Sequence, residues 1–349
     1  MQKYGFPYKG SKNKLAERFI DFFPKATNFY DLFAGGFAIT HAALVSEKWE
    51  RYYANDLNPL CVQLFNDAVK GKYHNETRWI SRNDFYKLKD TDGYVAFIWS
   101  FGNNLRCYLY SKEIEPYKKA CHYAIVFDDF SLIKELCPEV YDVTKKALDG
   151  IKDIKKRRLA FGPAVIKELK RLGDWSVVEN NPLYKSAHWR GGKIATEPMS
   201  VDLQSLERLQ SLESLESLER LERLERLERL ETSVSTYKNI KIKPNSIVYC
   251  DIPYINTNGY GNKKTVFNHA EFYEWCSKQK ELVFISSYEM PEDFVCVNKY
   301  VHRSTLSATA NNKVIEKLFI PKHQIELYNE LKNKESESYL FPEYFNKAV

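Results

Sequence analysis

The chain has 349 residues, a hydrophobic fraction of 44% and a charged fraction of 28%, which is typical of a folded protein with one large or two smaller domains. No apolar run is long enough to span a bilayer, and none of the seven cysteines forms a CxxC pair. These features exclude a membrane protein and speak against a disulfide framework or a zinc site, so we expect a cytoplasmic protein without a metal. The net charge of +6 permits a phosphate-binding surface, and the densest basic clusters occupy 155–158 and 167–171.

Two strand–helix units are predicted between residues 28 and 70. Each begins with a short apolar run, the first over 28–32 and the second over 51–55. A glycine turn ends the first strand, and Pro59 begins the helix after the second, where a proline is tolerated. Strands that alternate with helices indicate a parallel sheet.

The pattern changes between residues 76 and 200, where long segments rich in Lys, Tyr and Trp resemble helices interrupted by glycines. Strand–helix character then returns, with strands predicted at 246–250, 282–286, 300–306 and 314–320 and a helix at 269–280. The sequence therefore predicts an α/β fold in which residues 1–75 and 236–349 form one discontinuous domain. A mainly helical domain, 76–200, is inserted into it.

A triplet repeat separates these two parts. Leucine recurs at every third position from 203 to 230, within Leu-Glu-Ser and Leu-Glu-Arg triplets. On an α-helix such a stripe slips by about 60° per triplet, so no single face stays buried, and a coiled coil would need a repeat of about 3.5 residues. We expect a partly exposed helical connector over 201–235. It is either an inert low-complexity insertion or a spacer of variable length.

The most specific stretch is Asp251-Ile252-Pro253-Tyr254, which follows a predicted strand. Ligands of open α/β sheets bind at the carboxyl ends of the strands. There, the Asp251 carboxylate and the Ile252 carbonyl can accept hydrogen bonds from an exocyclic amine, and the Tyr254 ring can stack on a base. The stretch alone also allows a turn capped by Asp251 with Tyr254 packed on the core.

Three other stretches can hold a ligand. Residues 31–35 lead from a strand into a glycine turn and a helix N-terminus, where a ligand can approach the backbone closely. Asp56 follows the next strand and can either bind ribose hydroxyls or cap a helix. Residues 7–12 place two lysines beside aromatic residues, where they can hold a carboxylate or phosphate or simply face solvent.

In this order, the four stretches resemble the Dam-like family of DNA adenine-N6 methyltransferases, in the group whose cofactor motifs come first and catalytic motif last. The resemblance covers about 4–75 and 240–320, with a weaker echo near 95–125. It implies a Rossmann-like S-adenosylmethionine-dependent methyltransferase sheet with an inserted, mainly helical target-recognition domain. It also implies S-adenosylmethionine as the cofactor and double-stranded DNA as the partner, and we expect a monomer. The sequence indicates neither the recognised DNA site nor a cognate restriction enzyme.

The resemblance also assigns the site residues. The catalytic residues are Asp251, Ile252, Pro253 and Tyr254. The cofactor-binding residues are Tyr8, Lys12, Asp31, Phe33, Gly35, Asp56 and again Asp251. The DNA-binding residues are Lys9, Asn104, Arg106 and Tyr108. Asparagine and arginine are suited to reading adenine and guanine edges, although the two asparagines at 103–104 can also form a simple turn.

Two positions depart from the family pattern. Ile252 replaces the first proline of the catalytic motif, and its carbonyl can still accept a hydrogen bond, so we expect activity to survive. Phe37 stands where a second glycine is common, which can shift the cofactor loop.

Two other functions remain open from the sequence. One is methylation of a different amine, such as cytosine N4, an RNA adenine or a protein glutamine. The other is a DNA-binding regulator without catalysis. The acid at position 251 and the motif order favour adenine, and the intact Lys12, Asp251, Pro253 and Tyr254 argue against a loss of catalysis.

Overall fold

The computed structural model describes residues 4–73, 76–173, 183, 227–254, 267–303 and 313–340. Within these ranges, seven strands form one sheet: β1 (Asn28–Asp31), β2 (Arg51–Asp56), β3 (Leu230–Val234), β4 (Ser246–Cys250), β5 (Leu282–Ser287), β6 (Phe294–Arg303) and β7 (Lys313–Pro321). Their order across the sheet is β3-β2-β1-β4-β5-β7-β6. Strands β1 to β5 pair in parallel, and β7 runs antiparallel to both β5 and β6.

The helices of the described ranges are α1 (Ala16–Phe22), α2 (Ala38–Ser46), α3 (Pro59–Val69), α4 (Arg82–Leu88), α5 (Gly93–Ile98), α6 (Glu115–Phe127), α7 (Ser131–Leu136), α8 (Tyr141–Leu148), α9 (Ile154–Leu172), α10 (His269–Ser277) and α11 (Ile325–Leu340). Pro59 is the first residue of α3, as predicted, and the Asn58 side chain caps that helix by accepting from the Leu60 N–H. None of the helices in these ranges is long and apolar enough to cross a membrane.

The two central strands β4 and β5 are buried along their whole length, which explains their nearly continuous apolar sequences. Alternate side chains of β4 enter different cores. Tyr249 packs among the aromatic rings of Phe23 and Phe19, whereas Val248 lies in the core formed with Phe272 of α10. Helices therefore cover both faces of the sheet, and the strands predicted at 28–32, 51–55, 246–250 and 282–286 are confirmed.

The chain order places a crevice between β1 and β4. From β1 the chain continues to β2 on one side, and β4 leads to β5 on the other side. In an open α/β sheet, such a reversal leaves a ligand-binding crevice at the carboxyl ends of the strands. Asp31 ends β1, Asp56 ends β2 and Asp251 directly follows β4, so three acids meet at this edge.

The expected helical connector over 201–235 is wrong at its C-terminal end. Leu230–Val234 forms β3, the edge strand beside β2, and residues 201–226 lie outside the described residues. Local helix propensity is outweighed here because β2 offers unpaired backbone groups and the side chains find partners. Thr232 Oγ1 lies 2.9 Å from Asn66 Nδ2, and Ser233 Oγ donates to Asn55 Oδ1 at 2.8 Å.

The expected inserted domain, 76–200, divides between two cores. Residues 80–110 share one core with residues of the sheet domain such as Phe6 and Leu64. Helices α6 to α9 enclose a second core, in which Phe161 and Val165 of α9 are buried together with residues of the other three helices. The predicted boundary at residue 76 therefore falls inside a continuous core, and a separate helical core begins near residue 115.

Phe37 shows how this chain tolerates a large residue where the family commonly has glycine. Its φ of 57° lies in the left-handed region that glycine favours, so the turn after β1 keeps a glycine-like backbone. The ring is fully buried and stacks on Phe65 at a centroid distance of 4.1 Å. The left-handed backbone costs about 1–2 kcal/mol, which is less than the ~3–5 kcal/mol that burial of a phenylalanine ring contributes.

We predict that Phe37→Gly lowers the free energy of unfolding by about 2–3 kcal/mol, because the lost packing exceeds the relieved backbone strain. Urea unfolding measures this change. Glu47 is a matched control, since it has a φ of 56° but an exposed side chain at the end of α2. Glu47→Gly should leave stability unchanged or raise it by up to about 1 kcal/mol. A Phe37→Gly protein as stable as the wild type would contradict this account.

Candidate active site

The N-terminal segment lies across the glycine turn that follows β1. The Phe6 N–H donates to the Gly36 carbonyl at 2.9 Å, and the Tyr8 ring covers the turn. A Cβ atom on Gly35, whose φ is 49°, would lie 2.9 Å from the Tyr8 ring, so only glycine allows this approach. This packing brings the 7–12 stretch to the carboxyl edge of the sheet.

Lys12 and Asp251 form an ion pair at this edge. Lys12 Nζ lies 2.8 Å from each of the two Asp251 carboxylate oxygens. The Lys12 side chain is 9% exposed and that of Asp251 is 22% exposed, so the pair is largely shielded but can still be reached from solvent. The same Nζ lies 5.0 Å from the centroid of the Tyr254 ring, within the range of a cation–π contact. The structure thus joins the first and last predicted motifs in one site.

Asp251 is held by a chain of hydrogen bonds that runs through Ser286 to the buried hydroxyl of Tyr249. Ser286, at the end of β5, donates from Oγ to Asp251 Oδ1 at 3.0 Å, and its Oγ lies 2.8 Å from the Tyr249 hydroxyl. Burial raises the pKa of Tyr249 well above its usual value, so the hydroxyl keeps its proton and can donate to Ser286. The chain fixes one carboxylate oxygen of Asp251 from the interior of the sheet.

The turn after Asp251 is held at its proline. His269, the first residue of α10, lies with Nε2 2.8 Å from the Pro253 carbonyl oxygen, which can accept a hydrogen bond from it. The Ile252 side chain is buried in the core under α10, so the residue that replaces a family proline adds apolar packing. Its carbonyl remains the predicted second acceptor for an amine.

Tyr254 is anchored through its hydroxyl, which donates to the carboxylate of Glu316 in β7. Burial raises the pKa of Tyr254, and the nearby Asp251 and Glu316 carboxylates raise it further, so the hydroxyl stays protonated. The partly exposed ring of Tyr288 lies beside it, at a centroid distance of 4.6 Å and an angle of 56°. An aromatic surface therefore borders the Lys12–Asp251 pair.

Asp31 is a buried carboxyl group with spare hydrogen-bonding capacity. Thr40 donates to its Oδ2 at 2.7 Å, while its Oδ1 is buried and has no partner among the described residues. Burial raises the pKa of Asp31 to about 7, and the nearby Asp251 and Asp56 add to the shift. A cationic group of a ligand could satisfy this oxygen.

Asp56 lies at the end of β2, beside the glycine turn. Its carboxylate oxygens accept from the Gly35 and Asn58 N–H groups, each at 2.8 Å. Burial raises the pKa of this carboxyl group as well. Phe33 projects from the same edge and packs on the ring of Tyr237 at 5.5 Å. The predicted cofactor residues of the first two strand–helix units therefore surround one crevice.

The predicted DNA contacts have different environments. Asn104 Oδ1 accepts from the Arg106 and Cys107 N–H groups, so the asparagine forms a turn that presents the exposed Arg106. Lys9 is half-buried in the N-terminal segment. The prediction for Tyr108 is wrong, because its side chain is 3% exposed and its hydroxyl donates to the Ile80 carbonyl at 2.7 Å. Tyr108 packs parallel to Trp99 and belongs to the core.

Half of the basic cluster at 155–158 is also internal. Arg157 and Arg158 are each 7% exposed. The Arg157 guanidinium donates to four backbone carbonyls, those of Ala124, Ile125, Leu148 and Ile151, and to the carboxylate of Asp128. These bonds tie the ends of α6 and α8 to α9, so Arg157 stabilises the helical core and is not a phosphate contact.

Sequence reasoning missed the supporting residues of the site. Ser286 and Tyr288 stand at and just after the end of a correctly predicted strand, and the strand-end rule could have selected them. Thr40 and His269 carried no signal, because each contacts the site from a helix whose orientation is set by packing. Glu316 lies within the strand predicted at 314–320, where the sequence alone gives it no role in the site.

The mixed seven-stranded sheet is consistent with the fold of a methyltransferase. A family model for the D12 class N6 adenine-specific DNA methyltransferases matches residues 8–128. This match supports the Dam-like family and identifies the protein as a DNA adenine methyltransferase. The match includes Tyr8, Lys12, Asp31 and Asp56, whereas the Asp251 motif lies outside it. A comparison with curated proteins gives no significant match.

We predict that Ser286→Ala lowers the rate of adenine methylation by about 10- to 100-fold, because a hydrogen bond to a charged group contributes about 1.5–3 kcal/mol. Steady-state kinetics on unmethylated DNA measure this effect, and Ser286→Thr should restore most of the rate because it keeps the hydroxyl. Ser287→Ala is the matched control, since that hydroxyl donates to the Glu289 carbonyl and not to Asp251. Equal losses in both alanine variants would contradict the role of Ser286.

Proposed function

We propose that the protein transfers the methyl group of S-adenosylmethionine to N6 of an adenine flipped out of double-stranded DNA. The observation that carries the proposal is the Lys12–Asp251 pair at the crevice between β1 and β4, bordered by the anchored Tyr254 ring. This arrangement combines a carboxylate, which accepts from an amine, with an aromatic surface, which stacks on a base. The family match supports adenine in DNA as the acceptor.

The residues present fit the cofactor. The unpartnered Asp31 Oδ1 can accept from an ammonium group, and Asp56 can accept from ribose hydroxyls because each carboxylate oxygen has two acceptor sites. The glycine turn under Tyr8 lets a ligand approach the backbone. When bound, S-adenosylmethionine supplies a methyl group activated by a positively charged sulfur.

Asp251 prepares the amine for reaction. The lone pair of adenine N6 is conjugated with the ring, so hydrogen bonds from N6–H to Asp251 and to the Ile252 carbonyl favour a pyramidal nitrogen that can attack. Positive charge develops at N6 as it takes up the methyl group, and the fixed carboxylate stabilises this charge until an N6 proton is released to solvent. Lys12 and Ser286 hold the carboxylate in place from two sides, so this stabilisation needs no rearrangement during the reaction.

Base flipping brings the adenine to this edge. Taking a base out of the duplex costs a few kcal/mol, and stacking on an aromatic side chain returns about 1–3 kcal/mol. We assign that stacking surface to Tyr254. The helical unit α6 to α9 and the turn that presents Arg106 are the proposed DNA-facing parts, with Lys9 and Arg106 as candidate DNA contacts.

The deciding experiment is methyl transfer from labelled S-adenosylmethionine to unmethylated double-stranded DNA, followed by digestion to nucleosides. We expect N6-methyladenine. N4-methylcytosine as the product, or label found only when RNA or protein is the acceptor, would contradict the proposal. Sequencing of the product then gives the recognised site.

Asp251→Ala should lower methyl transfer by at least about 10²–10³-fold, because it removes the group that stabilises charge at N6. Binding of DNA, measured by gel shift, should remain nearly unchanged. Asp293→Ala, at an exposed position after β5, is the control and should keep full activity. A fully active Asp251→Ala enzyme would overturn the assigned chemistry.

Cofactor affinity should depend on pH through Asp31. Its pKa of about 7 means that the carboxyl group is neutral at lower pH and gains its charge as the pH rises. Only the carboxylate attracts an ammonium group, so affinity should rise by up to about tenfold per unit towards pH 7 and then level off. Calorimetry with S-adenosylhomocysteine, which keeps the amino group, measures this between about pH 5.5 and 7.5. Asp31→Asn should bind more weakly and without this slope, and an unchanged slope would exclude Asp31 as its origin.

A further inference from the structure

Glu316 enters the site from the beginning of an antiparallel strand, whereas Asp31, Asp56 and Asp251 lie at the ends of parallel strands. Strand β7 is antiparallel to β5, and Lys317 pairs with Ser287, the last residue of β5. The first residues of β7 therefore lie beyond the carboxyl end of β5, at the same edge as Asp251. Glu316 is 2% exposed there, which is unusual for a carboxylate and indicates that it has a specific partner.

That partner is the Tyr254 hydroxyl, which donates to the Glu316 carboxylate. A hydrogen bond to a charged acceptor is stronger than one between neutral groups, so it can hold a side chain firmly. The other end of Tyr254 is also constrained, since it follows Pro253, whose carbonyl oxygen lies within hydrogen-bond distance of His269. The ring is thus held both at its backbone and at its hydroxyl.

Tyr288 cannot serve as a second stacking surface opposite Tyr254. A base inserted between two rings needs about twice the ~3.4 Å spacing of stacked bases, whereas the two ring centroids are 4.6 Å apart. Tyr288 instead contacts Tyr254 at an angle of 56° and limits its tilt on that side. The base can therefore stack only on the Tyr254 ring, and the orientation of this ring determines the orientation of the base.

We propose that Glu316 is a positioning residue for methyl transfer: through the Tyr254 hydroxyl it fixes the plane of the ring on which the target adenine stacks. The inference rests on the proposed function and assigns a role to a residue of the C-terminal strand pair. A misplaced base lowers the rate steeply, because transfer needs the attacking nitrogen aligned with the methyl group. Glu316 should accordingly affect kcat and leave cofactor binding unchanged.

A double-mutant cycle tests this role with Tyr254→Phe, Glu316→Leu and the double variant. Each single change should lower kcat by about tenfold, because each removes the same hydrogen bond. The kcat of the double variant should be no lower than that of the less active single variant. The KM for S-adenosylmethionine should stay within about twofold of the wild-type value in all three variants. Glu316→Gln should keep at least about a third of kcat, since its amide oxygen still accepts from Tyr254.

Controls separate positioning from a loss of structure. Ile315→Ala changes an exposed neighbour on the same strand and should retain wild-type kinetics. If Glu316→Leu does not fold, Glu316→Gln in the Tyr254→Phe background replaces it, and it should have no further effect on kcat. The unfolding free energies of the same variants report the bond itself, independently of activity.

The outcomes are distinguishable. Losses in kcat that multiply in the double variant, or a KM for the cofactor that rises as kcat falls, would overturn the role of Glu316 while the proposed function stands. A wild-type enzyme that methylates no DNA adenine would overturn both. Losses that do not add, with an unchanged KM, would establish Glu316 as the residue that orients Tyr254.

Discussion

The ion pair between Lys12 and Asp251 connects residues that are 239 positions apart, and the arrangement of the site depends on it. Its two partners come from the segment that covers the glycine turn and from the turn after β4. Because Lys12 contacts both carboxylate oxygens, it sets the orientation of Asp251 as well as its place. The chain between these residues includes strands β1 to β4 and the helices α6 to α9, so the pair joins two segments of the site that are far apart in sequence.

Three carboxyl groups share the crevice, and each is accommodated differently. Asp251 faces a cation, Asp56 accepts from two backbone N–H groups, and Asp31 has a threonine partner and one oxygen left over. Burial raises the pKa of Asp31 to about 7, and the nearby Asp251 and Asp56 carboxylates raise it further, so a positively charged group is favoured in the crevice. The methyl donor that we propose carries such charge, so the crevice and the cofactor are complementary before any base arrives.

Much of this arrangement could be predicted from the sequence, because apolar runs mark the buried strands and the acids stand at strand ends. The errors have physical causes. A tract with high helix propensity forms the strand Leu230–Val234, since the edge of β2 provides better partners than solvent. Tyr108 appeared beside plausible DNA-reading residues, but its ring fills the core next to Trp99. The supports at Ser286 and Thr40 depend on three-dimensional packing, which a single sequence does not reveal.

Strand β3 has a consequence for the evolution of the gene. Its pairing is fixed by Thr232 and Ser233, which bond to Asn66 and Asn55 and lie after the last leucine of the repeat. Gain or loss of a whole triplet upstream leaves a Leu-Glu pair directly before Thr232 and Ser233, so the same residue types would face β2. Slippage of the DNA by nine-nucleotide units can therefore change the copy number of the tract without shifting the register of the edge strand.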